Sequence, residues 1–459
     1  MSERIAASSL IAAALALVAC SDSAPTGGAD ATADASGWEH PRTSWGDPDL
    51  QGMWPITNLV STPFQRPVDQ QGNPLYGDRE QLTDEEYAAT QQRLAARDQR
   101  YQDEIKSNKM GMGHWAEASH NNDAARLTSL LVEPKNGRFP ALTERGKELA
   151  ANMKSSWTGK VFDKPTDFDT WDRCITRGLP PSMFPFMYNN GIEIIQSPGY
   201  VIVRLEMIHE ARVIPVDGRA PLAADITQWL GESRGRWEGT TLVVETTNYA
   251  QGPPLINLAV VGSPPGNRFP YSSQLKTTER IVRLNDDSWL YEITTEDPVV
   301  LTRPFTVRYP MRHDASYLTP EYACHEENTI VPNYVRTNRH ERANAQPRRE
   351  EPVAVSREVA DALAGRWVGR PRIVTLDLDV ELEFVKQTDS VVVGKLIGTT
   401  LGAIGQPLHN VRIDERSLRF DLPNWQPWVF AGELDDDGTI VGVLSSEQGG
   451  VPVLFSRSD

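Results

Sequence analysis

Cysteine is scarce in this chain of 459 residues: there are three, Cys20, Cys174 and Cys324. No two stand at zinc-finger spacing, and no histidine belongs to a His-Glu-x-x-His pair, so the common metal signatures are missing. Basic residues are in deficit, 46 against 62 acidic ones, and the net charge is −16. That excess argues against a nucleic-acid face, because phosphate contacts need clustered cations. Beyond the N-terminus no apolar run reaches the roughly 18 residues of a membrane span. No alternation of strand and helix appears, which argues against a Rossmann-type fold. What is present is an ordinary folded composition, 39% hydrophobic and 24% charged. Its 33 glycines and 33 prolines favour turns and short strands over long helices. The length suits two or three domains.

Ile5 to Ala19 is apolar or small throughout, behind Arg4. This is too short to span a bilayer but suits a secretory signal. Its end, Leu17-Val18-Ala19-Cys20, resembles the lipobox of bacterial lipoprotein precursors. The resemblance implies cleavage before Cys20 and acylation of that residue, and with Ser21 next it implies sorting to the outer membrane. A plain signal peptide with a chance cysteine is the other reading. A flexible Ala/Ser/Asp/Thr/Gly tether follows, through about residue 45. If Cys20 carries lipid, Cys174 and Cys324 remain as an even pair in a compartment where disulfides persist. Closing that loop stabilises by about 4–5 kcal/mol in the chain-entropy model. Two buried thiols that never meet are the alternative.

Thr83-Asp84-Glu85-Glu86 forms a capping box that opens a solvated helix to about Lys106, and a shorter helix begins at Thr143. From Trp171 onward short strands alternate with turn residues. Hairpins are expected around Ser197-Pro198-Gly199 and Asn285-Asp286-Asp287, a strand pair or one long bent strand around Gly239, a turn at Asp217-Gly218, and further strands at Arg303–Met311 and Tyr322–Asn328. The expected fold class is mainly β: a large antiparallel calycin-like barrel over 46–335 with N-terminal helical segments inserted at about 83–155. A polar linker at 336–357 then leads to a small C-terminal antiparallel β-barrel over 358–459. The alternation from Val374 to Phe384 reads there as a strand with one buried face.

Gly365-Arg366-Trp367-Val368-Gly369, the 374–384 strand and the closing Gly449-to-Arg457 stretch resemble a lipocalin-like module appended to bacterial hydrolases. That implies an accessory barrel. Residues 45–335 resemble an uncharacterised family of secreted bacterial proteins. The segments that carry this likeness include Pro48–Trp54, Asp172–Ile175, Tyr200–Arg219 with Glu206-Met207-Ile208-His209, Gly231–Asn248 and Tyr322–Glu326. The likeness implies shared architecture and no particular activity. Gly-x-Trp recurs at Gly52, Gly235 and Gly365, a habit of calycin strands whose tryptophan plugs a barrel end.

Gly231-Glu232-Ser233-Arg234-Gly235 matches the nucleophile-elbow pattern, but the residues after it read as strand, so the required strand-turn-helix corner is missing. Among the histidines, His209 and His325 stand in apolar, strand-like segments with carboxylates nearby, the usual construction of a general base. Two satisfied core histidines are the plainer reading. On the catalytic reading His209 is acid or base, His325 its partner and Glu206 an orienting carboxylate. Glu206 and His209 can line one cavity only if their strand bends or ends near Ile208. Arg204, Arg212 and Arg173 are candidate anion clamps, and Tyr188, Asn190 and Tyr322 candidate lining groups. The expected activity is a lyase or hydrolase acting on a small aromatic or apolar compound. A non-catalytic ligand-binding lipoprotein and a surface scaffold for protein partners are the alternatives. No cofactor, metal or nucleic-acid partner is expected, and the membrane is met only through the Cys20 lipid.

Overall fold

The computed structural model describes residues 38–69, 72–108, 111–114, 125–153, 162–256, 269–326, 328–343, 350–373, 376–377, 379–399, 402–423, 428–446 and 449–458. The signal-like segment, Cys20 and the tether up to residue 37 lie outside them. Among the described residues no helix is long and apolar enough to cross a membrane.

Local chemistry sets the first elements. Strand β1 (Gly52–Met53) is a short edge. Helix α1 (Asp84–Lys106) starts where the Thr83 hydroxyl accepts from the Glu86 N–H and the Glu86 carboxylate accepts from the Thr83 N–H, at 3.2 and 2.8 Å. It buries only Thr90, Leu94 and Asp98, in keeping with its polar sequence. Strand β2 (Leu131–Glu133) precedes α2 (Glu144–Asn152), which is capped by Thr143.

The chain then runs up and down through β3 (Ile192–Ser197), β4 (Tyr200–Leu205), β5 (Ala211–Pro215), β6 (Glu232–Glu238), β7 (Thr241–Thr247), β8 (Lys276–Arg283), β9 (Ser288–Glu296) and β10 (Phe305–Arg312). Ladders join them in two antiparallel sheets, β1-β3-β4-β5 and β2-β10-β9-β8-β7-β6. Strict alternation assigns the faces: along β9, Trp289, Tyr291, Ile293 and Thr295 point in and are buried, while their neighbours are partly exposed. One hydrophobic core fills the space between the sheets, with Trp54, Val203, Ile214, Val244, Trp289 and Phe305 among its members. At the seam between β5 and β6 the sheets meet through side chains. A Cβ on Gly235 would sit 2.7 Å from Val216 Cγ1, so only glycine lets the two walls close there.

Helix α3 (Ile330–Ala343) follows. Strands β11 (Val353–Ala354), β12 (Gly365–Gly369), β13 (Arg372–Ile373), β14 (Leu376–Asp377), β15 (Val380–Thr388), β16 (Val391–Thr399), β17 (Gly402–Pro407), β18 (His409–Asp414), β19 (Ser417–Asp421), β20 (Val429–Leu434), β21 (Ile440–Ser446) and β22 (Gly449–Ser458) complete the chain, with helix α4 (Arg357–Leu363) ahead of β12. Ten of these strands pair in the order β11-β16-β15-β12-β22-β21-β20-β19-β18, with β17 alongside β16. They wrap a second core of Trp367, Phe384, Phe420, Phe430 and Phe455, each at most 1% exposed. Trp367 sits under the Arg457 guanidinium and donates its indole N–H to Leu363 O.

The mainly β class, an antiparallel barrel beside other antiparallel sheets, and the N-terminal helices stand as the sequence predicts. Three local expectations need correction. Residues 336–343 continue α3, so the 336–357 linker is helical in its first part; Pro332 near the start of α3 is tolerated because early helical N–H groups lack partners anyway. The 374–384 strand is interrupted: Leu376–Asp377 belong to β14, and the alternation resumes in β15 with Val380, Leu382 and Phe384 buried. Among the described residues of the expected 322–328 strand none is in a strand: residues 324–326 are turn, held through Cys324 rather than by a ladder.

Candidate functional site

At one end of the large β domain the chain makes an unusual turn. Strand β4 ends at Leu205, and the link to β5 passes through Ile208 at φ 64° and His209 at φ 54°. Left-handed backbone is strained for non-glycine residues, most of all for a β-branched one, and it persists only where the surroundings over-determine it. Cys174 and Asn189, both at φ 56°, lie in segments packed against the same turn.

Glu206 fixes the turn from beneath. Its carboxylate is buried and accepts the Asn189 side-chain N–H at 2.9 Å, the Gly191 N–H at 2.9 Å and the Tyr317 hydroxyl at 2.8 Å. A Cβ on Gly191 would stand 2.8 Å from that carboxylate, so glycine permits the approach. The space beside it, lined by Arg177, Ser182, Asn189 and Glu206, is about 10 Å³, room for a single water.

Above this floor, His209 is exposed, and its Nε2 accepts the backbone N–H of Tyr322 at 2.5 Å. A nitrogen that accepts carries no proton, so the neutral ring holds its hydrogen on Nδ1. The Tyr322 ring stands edge-on to the imidazole, 6.3 Å between centroids. The 322 segment is fixed there by the Cys174–Cys324 disulfide, with Cα atoms 5.6 Å apart, and by the Asn328 side-chain N–H donated to Asp172 O.

Sequence reasoning missed Arg177. It is buried, its guanidinium lies 4.8 Å from the Phe186 ring centroid, and Nη1 donates to Phe184 O at 3.3 Å. Burial lowers its pKa to about 10, a shift that the surrounding Tyr188, Tyr322 and Glu210 oppose. Burial likewise pushes the Tyr188 hydroxyl up to about 12, which the Arg177 charge partly offsets, and raises Tyr322 and Glu210. Its one sequence signal is position, directly ahead of the largely apolar stretch from Leu179 to Met187.

The expected site residues divide accordingly. His209, Glu206, Tyr188, Asn190 and Tyr322 come together at this end, Asn190 closing a loop through paired bonds with the Phe186 backbone. His325, expected to be half-buried in a strand, is exposed in a turn, and among the described residues no hydrogen bond joins it to His209. The expected clamps have partners within the fold. Arg204 pairs with Glu193 and donates to the Thr319 hydroxyl, while Arg173 donates to Asp169 O. Arg212 lies in the interior, its fork closed by Glu279. Ser233 of the elbow-like motif sits on β6 with its hydroxyl bonded to Thr246 and Arg212, so no nucleophile is presented. Among the described residues no three His, Cys, Asp or Glu side chains form a group able to hold a metal ion.

Comparison with known proteins finds only distant likeness. A protein of unknown function of the DUF3598 family from Nostoc punctiforme matches at 10% identity, covering 58% of this chain and 85% of that one, with a TM-score of 0.13. Two variants of the vaccine antigen transferrin binding protein B from Haemophilus parasuis match at 7% and 8% identity. They cover 58% of this chain and 52% and 64% of theirs, again with TM-scores of 0.13. No family model matches the chain, and no curated protein does.

Proposed function

We propose that this is an exported lipoprotein, anchored through Cys20 to the outer membrane, that takes a small aromatic or otherwise apolar compound at the disulfide-closed end of its large β domain and acts on it by proton transfer, as a lyase or hydrolase. The observation that carries the reading is the His209 imidazole, exposed and held on a strained turn with Nε2 engaged by the Tyr322 N–H. The Nδ1–H of that tautomer can donate a hydrogen bond, and Nε2 can take up a proton once it releases the Tyr322 N–H. In this reading Glu206 is a positioning residue, because all it touches belongs to the turn's own support. Tyr188 and Tyr322 supply ring surface, with the Arg177 charge behind them. His325 stands at the rim. The likeness of the Asp172–Ile175, Tyr200–Arg219 and Tyr322–Glu326 segments to secreted bacterial proteins accords with an exported role.

Binding without turnover is the second reading, favoured by the engagement of Arg173, Arg204 and Arg212 with the protein itself, which commits all three candidate clamps to partners within the fold. Thermal-shift screening against aromatic acids, sterols and sugars, followed by product analysis, tests both. A stabilising compound whose effect is lost in Tyr188→Ala supports the site. Conversion that falls at least a hundredfold in His209→Gln supports catalysis. Stabilisation without conversion selects binding, and a shift unchanged in both variants removes the site.

A further inference from the structure

The C-terminal barrel carries an arginine pair to which the described residues supply no partner. Arg412 on β18 and Arg419 on β19 are directly opposite across the ladder, both exposed, and neither side chain has a hydrogen bond or ion pair among the described residues. The other basic side chains described in this barrel are matched. Six of them, from Arg357 to Arg416, hold carboxylates, and Arg457 holds two carbonyls. Like charges facing each other on an antiparallel pair destabilise it.

The pair opens onto a groove of about 380 Å³ on the barrel's outer wall, a size suited to a small molecule. Register explains the hollow. The residue opposite Arg419 on β20 is Ala431, a short side chain, followed in the same cross-strand row by Val443 and Pro452. Val443 and its neighbours Val441 and Leu454 are 41%, 41% and 50% exposed. At about 4.8 Å per strand the apolar shelf extends roughly 14 Å from Arg419. The barrel interior is filled by its aromatic core, which leaves the outer wall as the place for a ligand.

We infer that this groove binds an organic carboxylate with an apolar body: the planar carboxylate between Arg412 and Arg419, the body along Ala431 and Val443. Two guanidinium forks suit a carboxylate's two oxygens, and an anion between them removes their mutual repulsion. Asp414 and Glu433 line the other side of the groove, which disfavours a sheet of lipid phosphates and suits a single charged head.

Calorimetric titration of the whole protein with octanoate and 4-phenylbutyrate, using 1-octanol as neutral control, tests the inference. Saturable binding of the carboxylates is expected, without binding of the alcohol. Affinity should be at least tenfold weaker in the Arg412→Gln/Arg419→Gln double variant and unchanged in His209→Gln. Should the double variant lose its fold, Ala431→Trp, which keeps both arginines and fills the shelf, should weaken binding to the same extent. Equal affinity in these variants, absence of carboxylate binding, or association with phosphatidylglycerol vesicles in place of the free carboxylates would overturn it.

Discussion

Arg212 and Glu279, 67 residues apart, form a two-point ion pair at 2.9 and 2.5 Å with side chains only 2% and 1% exposed. The pair links β5 of one sheet to β8 of the other, and the Tyr291 hydroxyl donates to the same carboxylate at 2.8 Å. Burial opposes the Arg212 charge, but Glu279 outweighs it and raises the guanidinium above its ordinary value. Removing one partner strands a charge in the interior. Glu279→Leu is therefore expected to destabilise by about 3–5 kcal/mol in urea denaturation. The Arg212→Met/Glu279→Leu double variant should lose less than Glu279→Leu alone, and additive losses would count against this account.

Asp169 supplies a pH dependence. Burial first, then the neighbouring Asp172 charge, pushes its carboxyl up to about 7. Between the ordinary carboxylate range near 4 and this value, the folded protein keeps a proton that the unfolded chain gives up. Stability from this group is therefore highest below pH 4 and falls as pH rises to about 7. Asp169→Asn should flatten that slope, raising stability at pH 8 relative to the parent by upwards of about 1 kcal/mol and doing little at pH 4. Melting curves at both values decide it.

Ile208 holds its left-handed backbone at a cost. Replacement by glycine removes that strain, while adding some chain entropy to the unfolded state. The net expected gain is about 1 kcal/mol in denaturant titration. If the strain serves to aim His209, the same variant should bind any ligand of this end more weakly. A more stable protein with undiminished binding would separate the turn from recognition.

The features legible from sequence are those written in neighbouring residues. Gly199 in its hairpin, the Thr83–Glu86 box and the alternation through Val380, Leu382 and Phe384 each state a local preference that the fold respects. Cys174 and Cys324 were legible through the chemistry of their compartment. The candidate end was legible as a set of segments but not as a geometry. Nothing local in Met207-Ile208-His209 announces a left-handed turn, because neither glycine nor asparagine is present to signal it. Glu279 as the partner of Arg212 follows only from how the two sheets pack face to face, because the two residues lie on different sheets, 67 positions apart. The 322–328 stretch misled because its parity resembles a strand, while a covalent link and side-chain bonds determine its path.

The Cys174–Cys324 bridge has a consequence for when the protein matures. It ties down the segment that presents the Tyr322 N–H to His209, so a reduced chain can complete both barrels' hydrophobic cores and still leave that imidazole without its anchor. Assembly of this end would then come last, set by oxidation of the pair and not by packing of the two cores.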